Sequence, residues 1–239
     1  MLIERLFHAP ERREASSGAS RWLVDWLTGD ESASGIRVGM KTALRASAVW
    51  RGVNIVAGDV AKVPLYLYRR EGQGKVRATN HPIYQLMRRR PNAYMTAFEL
   101  KRLLTLHALL KGNGYAWIER DRAGRPVALL PLWPSDTEAA FGEDRRLRYR
   151  TVVNAQQFAL EADDVLHIRA LGTDGIIGRG VCDVGREAIG LAIAAERYGA
   201  AFFGNGARPS TVIETPVKLS EDKVTRLREA WERAYRGVE

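Results

Sequence analysis

Cysteine is nearly absent: Cys182 is the only one in 239 residues. No internal disulfide is available and no second cysteine completes a zinc-type spacing, so a disulfide scaffold and a Cys-rich zinc finger are both excluded, and the setting is read as reducing. Long apolar runs are also missing. The most apolar stretch, Leu103 to Leu110, is interrupted by Thr105 and His107 and falls far short of the roughly 20 residues of a membrane span. The first residues, Met1 to Phe7, include an acid and lack a long apolar segment, which reads as no secretion signal. There is no Gly-x-Ser-x-Gly nucleophile elbow and no P-loop ending in Gly-Lys-Ser/Thr. The four histidines, His8, His81, His107 and His167, never stand four apart, the spacing that places two ligands on one helical face.

What is present is a hydrophobic fraction of 46%, enough to bury a core, and 37 Lys+Arg against 28 Asp+Glu, a net charge of +9. Such charge favours polyanions, but the arginines read as spread along the chain rather than gathered in one block. The runs Arg88-Arg89-Arg90 and Arg145, Arg146, Arg148, Arg150 read first as solvated faces.

Residues 1–42 stand apart as a mobile arm: Ala15–Ser20 and Asp30–Gly35 are small and polar, around one docking patch at Trp22, Leu23, Trp26 and Leu27. From Ala43 to Lys62, Val49, Val53, Val56, Ala57 and Val60 recur at helical spacing until Pro64 stops the pattern. Val63–Tyr68 reads as a strand, Arg69–Gly74 as a turn, and Pro82–Met87 as a short helix. Thr96-Ala-Phe-Glu99 is a capping box opening a helix through Leu100, Leu103, Leu104, His107 and Leu110, closed by Gly112.

The period then changes. Tyr115–Arg120 and Val127–Leu130 predict a hairpin around Asp121–Gly124, and Asp136–Ala140, Leu147–Val153 and Val165–Ile168 predict further strands. Asp183 to Phe203 predicts a long helix whose main apolar stripe is Val184, Ala188, Leu191, Ala195, Tyr198 and Phe202, with Ile189, Ala192 and Phe203 on other faces. Such a helix needs neighbours on several sides. Thr211–Thr215 reads as a strand, and Ser220 caps a last helix carrying Val224, Leu227, Trp231, Ala234 and Tyr235 inward, with Gly237 closing it. The fold class expected is α+β.

One cluster has the residue types of a metal site for phosphodiester chemistry: Asp163, Asp164, His167 and Asp174. The structural reading competes, since adjacent aspartates before a strand are ordinary turn formers and adjacent side chains in an extended segment face opposite sides. Cys182 sits beside Asp183, whose charge disfavours a thiolate, and reads as a packing residue. Gly204-Asn-Gly206 reads as a helix stop rather than part of a dinucleotide fingerprint, because Pro209 stands where the third glycine belongs.

The order of segments is more specific than any one of them. Ala48–Ala57, Val63–Tyr68, His81–Leu86, Arg90–Asn92 and Met95–Glu99, followed by Gly112–Trp117, Arg120-Asp121, Leu130–Pro134, Val165–Arg169, Asp174-Gly175, Arg186–Ala192 and Phe202–Ala207, resemble in the same order the portal proteins of tailed double-stranded-DNA phages and prophages. The resemblance runs from about Ala43 to the end. It implies a portal-type subunit: a structural, non-enzymatic component of a ring, typically a dodecamer, at one capsid vertex, through which DNA is pumped in and later leaves. By analogy, residues 43–178 form a wing, 179–206 the stem helix region and 207–239 part of a clip. The partners implied are further copies of the subunit, double-stranded DNA passing without sequence recognition, terminase, capsid or scaffolding protein, and the head–tail adaptor. The terminase carries the ATPase, and no membrane and no cofactor are implied. The location implied is the virion, assembled in the bacterial host cytoplasm. Family members continue beyond the equivalent of Glu239 with a returning clip strand, a second stem helix, tunnel elements and a crown. This chain is therefore expected to be the front portion of a subunit, and a monomer or weak oligomer by itself.

Residues facing DNA in such a channel contact backbone rather than bases, which makes Arg186 and Arg197 on the stem helix and Lys223 and Arg226 on the clip helix the channel candidates. The same arginines have Glu187 and Glu196 as competing partners. Two other readings compete with the structural one: a metal-dependent enzyme on nucleic acid, built on the Asp163 cluster, and a monomeric DNA-binding module with steeply salt-dependent affinity.

Overall fold

The computed structural model describes residues 30–204, 214, 216 and 219–235. Strands β1 (Asp30–Glu31) and β2 (Arg37–Val38) form a small hairpin, followed by α1 (Met40–Ala43) and α2 (Ser47–Lys62). Helix α2 stops where the sequence pattern predicts, because Val63 precedes Pro64 and takes an extended backbone, φ −64° and ψ 121°. The strand expected at Val63–Tyr68 begins only at its last residue: β3 is Tyr68–Glu71, paired with β4 (Gly74–Arg77) across Gly72 at φ +57°. Pro64 has no N–H to give a ladder, and the turn sets the register from the other end.

Helix α3 (Pro82–Arg88) is capped by His81, whose Nδ1 accepts from the Ile83 N–H. Helix α4 (Ala97–Lys111) opens on the predicted capping box: Thr96 Oγ1 accepts from the Glu99 N–H at 3.3 Å, and Glu99 Oε2 accepts from the Thr96 N–H at 2.7 Å. These bonds to the charged form hold the Glu99 carboxyl below its ordinary range. The helix ends at Gly112, φ +86°, as a left-handed cap.

Two three-stranded antiparallel sheets follow. One has the order β10-β5-β6, from β5 (Asn113–Arg120), β6 (Pro126–Leu132) and β10 (Val165–Arg169); the other runs β7 (Thr137–Phe141), β8 (Leu147–Val153), β9 (Gln156–Glu161). Strand β9 has no counterpart in the sequence reading. Its turn, Asn154-Ala155, carries positive φ at both residues, +51° and +61°, the backbone of a tight hairpin reached without the glycine that would announce it. After α5 (Val181–Val184), Gly185 interrupts the predicted long helix, and α6 runs from Arg186 to Gly204. Helix α7 spans Glu221–Tyr235. The architecture is α+β, as expected. The Trp22–Leu27 patch, the Gly237 stop and the Thr211–Thr215 strand apart from Glu214 lie outside the described residues.

Three apolar clusters hold these elements together. Leu86, Leu100, Leu104, Ala116 and Leu129 join α3 and α4 to the β10-β5-β6 sheet, while Tyr115, Leu132, Ala139, Tyr149 and Val165 join the two three-stranded sheets. The largest cluster unites segments distant in sequence: Ile36, Val38 and Met40 pack with Val53, Leu110, Cys182, Ile189 and Ile193. Residues 30–42, counted with the arm in the sequence reading, are thus packed against the body. Cys182 is buried there and its thiol is pushed up to about 11 by burial, which makes it the packing residue the sequence suggests.

The loop before α5 is held by a close backbone crossing. A Cβ added at Gly178 would lie 2.1 Å from the Gly112 carbonyl oxygen, so only glycine allows the approach. Asn113 closes the crossing: its Oδ1 accepts from the Gly178 N–H at 2.8 Å and its Nδ2 donates to the Gly178 carbonyl at 3.0 Å.

Candidate assembly interface

Helix α6 is 19 residues long, about 28 Å at 1.5 Å per residue. Its anchoring is confined to the first half. Ile189 and Ile193 are buried, and Gly190 lets Ser32 approach so closely that a Cβ would lie 2.1 Å from its Oγ. Polar contacts reinforce the same end: Glu187 Oε2 accepts from the Ala33 N–H at 2.9 Å, and Arg186 Nη2 donates to Asp30 and to Asp183.

The main apolar stripe of the sequence pattern is not the side the fold buries. Val184, Leu191 and Tyr198 are 70%, 65% and 75% exposed, and Phe203 is 73% exposed. The buried pair Ile189 and Ile193 belongs to the opposite side, because the β1–β2 hairpin and α2 cover only that side. Beyond Ile193 no residue of α6 is buried. Tyr198 stacks on Phe202 at 6.4 Å between centroids, and Phe202 meets Phe203 edge-on at 5.7 Å, so the aromatic residues form one exposed surface. A contiguous apolar face of this kind marks an interaction surface rather than a solvated one. The inward face predicted for α7 is corrected in the same way: Val224, Leu227 and Trp231 are exposed.

Of the four channel candidates, Arg197, Lys223 and Arg226 are exposed. Arg186 is engaged by Asp30 and Asp183, and its Nε is buried with no hydrogen-bond partner. The candidate metal cluster is not assembled. Asp164 accepts from Arg120 Nε at 2.8 Å, and Asp174 Oδ1 accepts from the backbone N–H groups of Ile176 and Ile177, which hold its carboxyl below the ordinary range. His167 lies between Asn113 and Tyr149. Since Asn113 Oδ1 only accepts, Nε2 carries the proton and donates at 3.0 Å, leaving Nδ1 to accept from the Tyr149 hydroxyl at 3.1 Å. Burial, and secondarily the charge of Arg169, pushes His167 down to about 4. Among the described residues no three His, Cys, Asp or Glu side chains converge on a cation-sized site. His107 is also structural: it is 2% exposed, edge-on to Trp133 at 5.3 Å, and pushed by burial to about 4.

Asn113 escaped the sequence reading, although Gly112-Asn113-Gly114 carried a signal: polar side chains between glycines at a helix stop often tie backbone segments together. Among the described residues no helix is long and apolar enough to cross a membrane.

Residues 47–239 match the family model for phage portal proteins. The chain is 28% identical over 194 residues to the portal protein of Enterobacteria phage HK97, covering 80% of this chain and 44% of that protein. It is 32% identical over 224 residues to the probable portal protein of Streptomyces phage phiC31, covering 88% and 48%. The chain thus spans about half the length of these curated relatives. A chain in the neck of an empty gene transfer agent particle superposes with a TM-score of 0.62 at 25% identity, covering 84% of this chain and 55% of that one. The crystal structure of an HK97 family phage portal protein from Corynebacterium diphtheriae shares the fold with a TM-score of 0.54 at 20% identity, covering 82% and 60%. With four-fifths of its length inside the family model and its fold shared with a portal structure, this chain belongs to the phage portal protein family.

Proposed function

We propose that the chain serves as part of a structural portal subunit at the capsid vertex, in a ring that forms the passage for double-stranded DNA and the docking site for terminase and the head–tail adaptor. The observation that carries this reading is the uncovered apolar side of α6. Leu191, Tyr198 and Phe203, with Val184 at the end of α5, are left in water by the isolated chain, and neighbouring copies with tilted, laterally packed helices would cover them. The neck containing the similar gene transfer agent chain was computed with sixfold symmetry, with which a ring of twelve is compatible. The role is geometric and non-enzymatic, and the virion is its place.

In this reading residues 43–178 act as wing, 179–206 as stem region and 207–239 as part of the clip. Arg197, Lys223 and Arg226 offer exposed charge to the DNA backbone; Arg186 offers less, because Asp30 and Asp183 already neutralise it.

Sedimentation velocity over a concentration series tests the reading. The wild-type chain is expected to self-associate weakly and reversibly, and Leu191→Asp/Tyr198→Asp to sediment as a monomer throughout. Identical sedimentation of the two proteins would remove the assembly role of this face.

A further inference from the structure

The positive charge of this protein is segregated. Between positions 62 and 90 stand Lys62, Arg69, Arg70, Lys75, Arg77, Arg88, Arg89 and Arg90 against the single acid Glu71, a net +7 in a chain whose total is +9. The reading of arginines spread along the chain rather than gathered in one block does not hold for this segment. Half of the other arginine group is paired where it stands: Arg148 pairs with Asp144 and Glu161, and Arg150 lies 3.9 Å from Glu138. In the 62–90 segment, Lys62 pairs with Asp59 and Arg69 with Glu71, whereas Arg70, Lys75, Arg77, Arg88, Arg89 and Arg90 make no ion pair among the described residues.

The fold brings the hairpin and the end of α3 together, and the hairpin register sets Arg70 opposite Lys75. Tyr66 holds two of the cations: the Arg77 guanidinium lies 4.3 Å and the Arg88 guanidinium 4.6 Å from the centroid of its ring. That ring bridges the β3–β4 hairpin to the end of α3, and the Ala78 N–H donates to the Leu67 carbonyl at 2.9 Å to close the hairpin base. All eight strand residues of the hairpin are exposed. Lys101 adds to the field from α4, anchored to the Val63 carbonyl at 2.6 Å; partial burial first, and Arg88 second, hold its ammonium below the usual lysine range. An open cleft of about 430 Å³ beside the hairpin has Arg69 and Arg77 on its wall.

We infer that the β3–β4 hairpin and the C-terminal end of α3 form a contact surface for the sugar–phosphate backbone of double-stranded DNA, separate from the stem and clip helices. Like charges brought this close repel one another, and a polyanion relieves that repulsion. Arginine dominates the unpaired set, and its planar fork matches phosphate oxygens two at a time. The alternative occupant, an acidic protein, fits less well, because the centre of a protein interface is depleted of charge, whereas protein–DNA interfaces are strongly positive. Recognition here would be of backbone charge without base reading.

Anisotropy of a labelled duplex with the full chain, over a salt series, tests this. Wild type is expected to bind with affinity falling steeply as salt rises. Arg70→Gln/Lys75→Gln/Arg89→Gln/Arg90→Gln is expected to bind at least tenfold more weakly, with the log–log salt slope shallower by about 3 to 4, from roughly 0.9 for each phosphate no longer neutralised. Arg70→Lys/Arg89→Lys/Arg90→Lys preserves charge and is expected to keep the wild-type slope, which separates charge loss from a folding defect. The inference is overturned if the glutamine variant binds like wild type, or if the lysine variant loses the slope as well. It is equally overturned if Arg197→Gln/Lys223→Gln/Arg226→Gln abolishes binding while the hairpin variant does not, or if polyglutamate binds and duplex DNA does not. The sedimentation test of α6 is independent of all these outcomes.

Discussion

Asn113 and His167 meet through a 3.0 Å hydrogen bond in which the imidazole Nε2–H donates to the carboxamide Oδ1, and that same oxygen accepts from the Gly178 N–H. The bond links β5, β10 and the loop leading to α5, so one side chain secures the route by which the chain leaves its sheets and enters its last helices. It also fixes the tautomer of His167, and with it the direction of the Tyr149 hydroxyl.

Replacing Asn113 tests this arrangement. Asn113→Ala leaves the buried Gly178 amide and carbonyl and the His167 N–H without partners, and is expected to cost about 3 kcal/mol in chemical denaturation. Asn113→Asp keeps the acceptor, loses the donor to Gly178, and puts a carboxylate beside the imidazole. Its loss of stability is expected to be smaller, and histidine NMR is expected to show His167 titrating above its present value of about 4, because the new negative charge favours the imidazolium.

Acid sensitivity should come from the two structural histidines. His107 and His167 are each lowered from 6.5 to about 4, so between these values the unfolded chain binds protons that the folded chain refuses. Their contribution is fully present above pH 6.5 and is lost as pH falls to about 4, worth about 3 kcal/mol for the deeply buried His107. In His107→Leu both unpartnered ring nitrogens disappear and the surroundings are already leucine-rich. Stability at pH 7 is expected to rise by about 1 kcal/mol and the pH slope between 6.5 and 4 to fall by roughly half, leaving the His167 share. Urea titrations at several pH values measure both.

The glycine crossing predicts a sharp contrast between two alanine substitutions. Gly178→Ala puts a methyl 2.1 Å from the Gly112 carbonyl oxygen and 2.7 Å from the Ala170 nitrogen, both backbone atoms that cannot swing aside. A loss of about 4 kcal/mol or more is expected, near the upper end for a single substitution. Gly124→Ala meets no atom and bears only the left-handed backbone, φ +75°, for about 1 kcal/mol. Thermal melts of the two proteins should differ visibly.

Neighbouring positions on α6 should behave oppositely. Ile193→Ala removes a buried side chain from the main cluster and is expected to cost about 3 kcal/mol without altering the exposed face. Leu191→Ala is expected to change monomer stability by no more than about 0.5 kcal/mol while reducing self-association. Denaturation and sedimentation on the same samples separate the two effects.

Much of the fold was legible from local chemistry. The Thr96–Glu99 capping box, the Gly112 stop, the Val63-Pro64 break and the hairpin around Asp121–Gly124 depend on residues within a few positions of one another, so the chain announces them directly. Strand β9 was not announced, because Asn154-Ala155 turns the chain without a glycine.

By itself the sequence determined the α+β class, the positions of most elements, the ordered segments that resemble portal proteins, and an α6 with apolar residues on several sides. Only the tertiary structure decided which of those sides is filled from within. Ile189 and Ile193 are buried because Ile36, Val38 and Val53 arrive there from far away in sequence, and periodicity cannot report which face a distant segment covers. The same holds for charge. Composition supplied the +9, but the cation pair on Tyr66 required the hairpin and α3 to meet, while of the residues close in sequence Asp163 and Asp164 were drawn to Arg120, His167 to Asn113 and Asp174 to the backbone of its own loop. Hydrogen bonds and burial are satisfied in three dimensions, so proximity along the chain decides turns and caps, and packing decides sites.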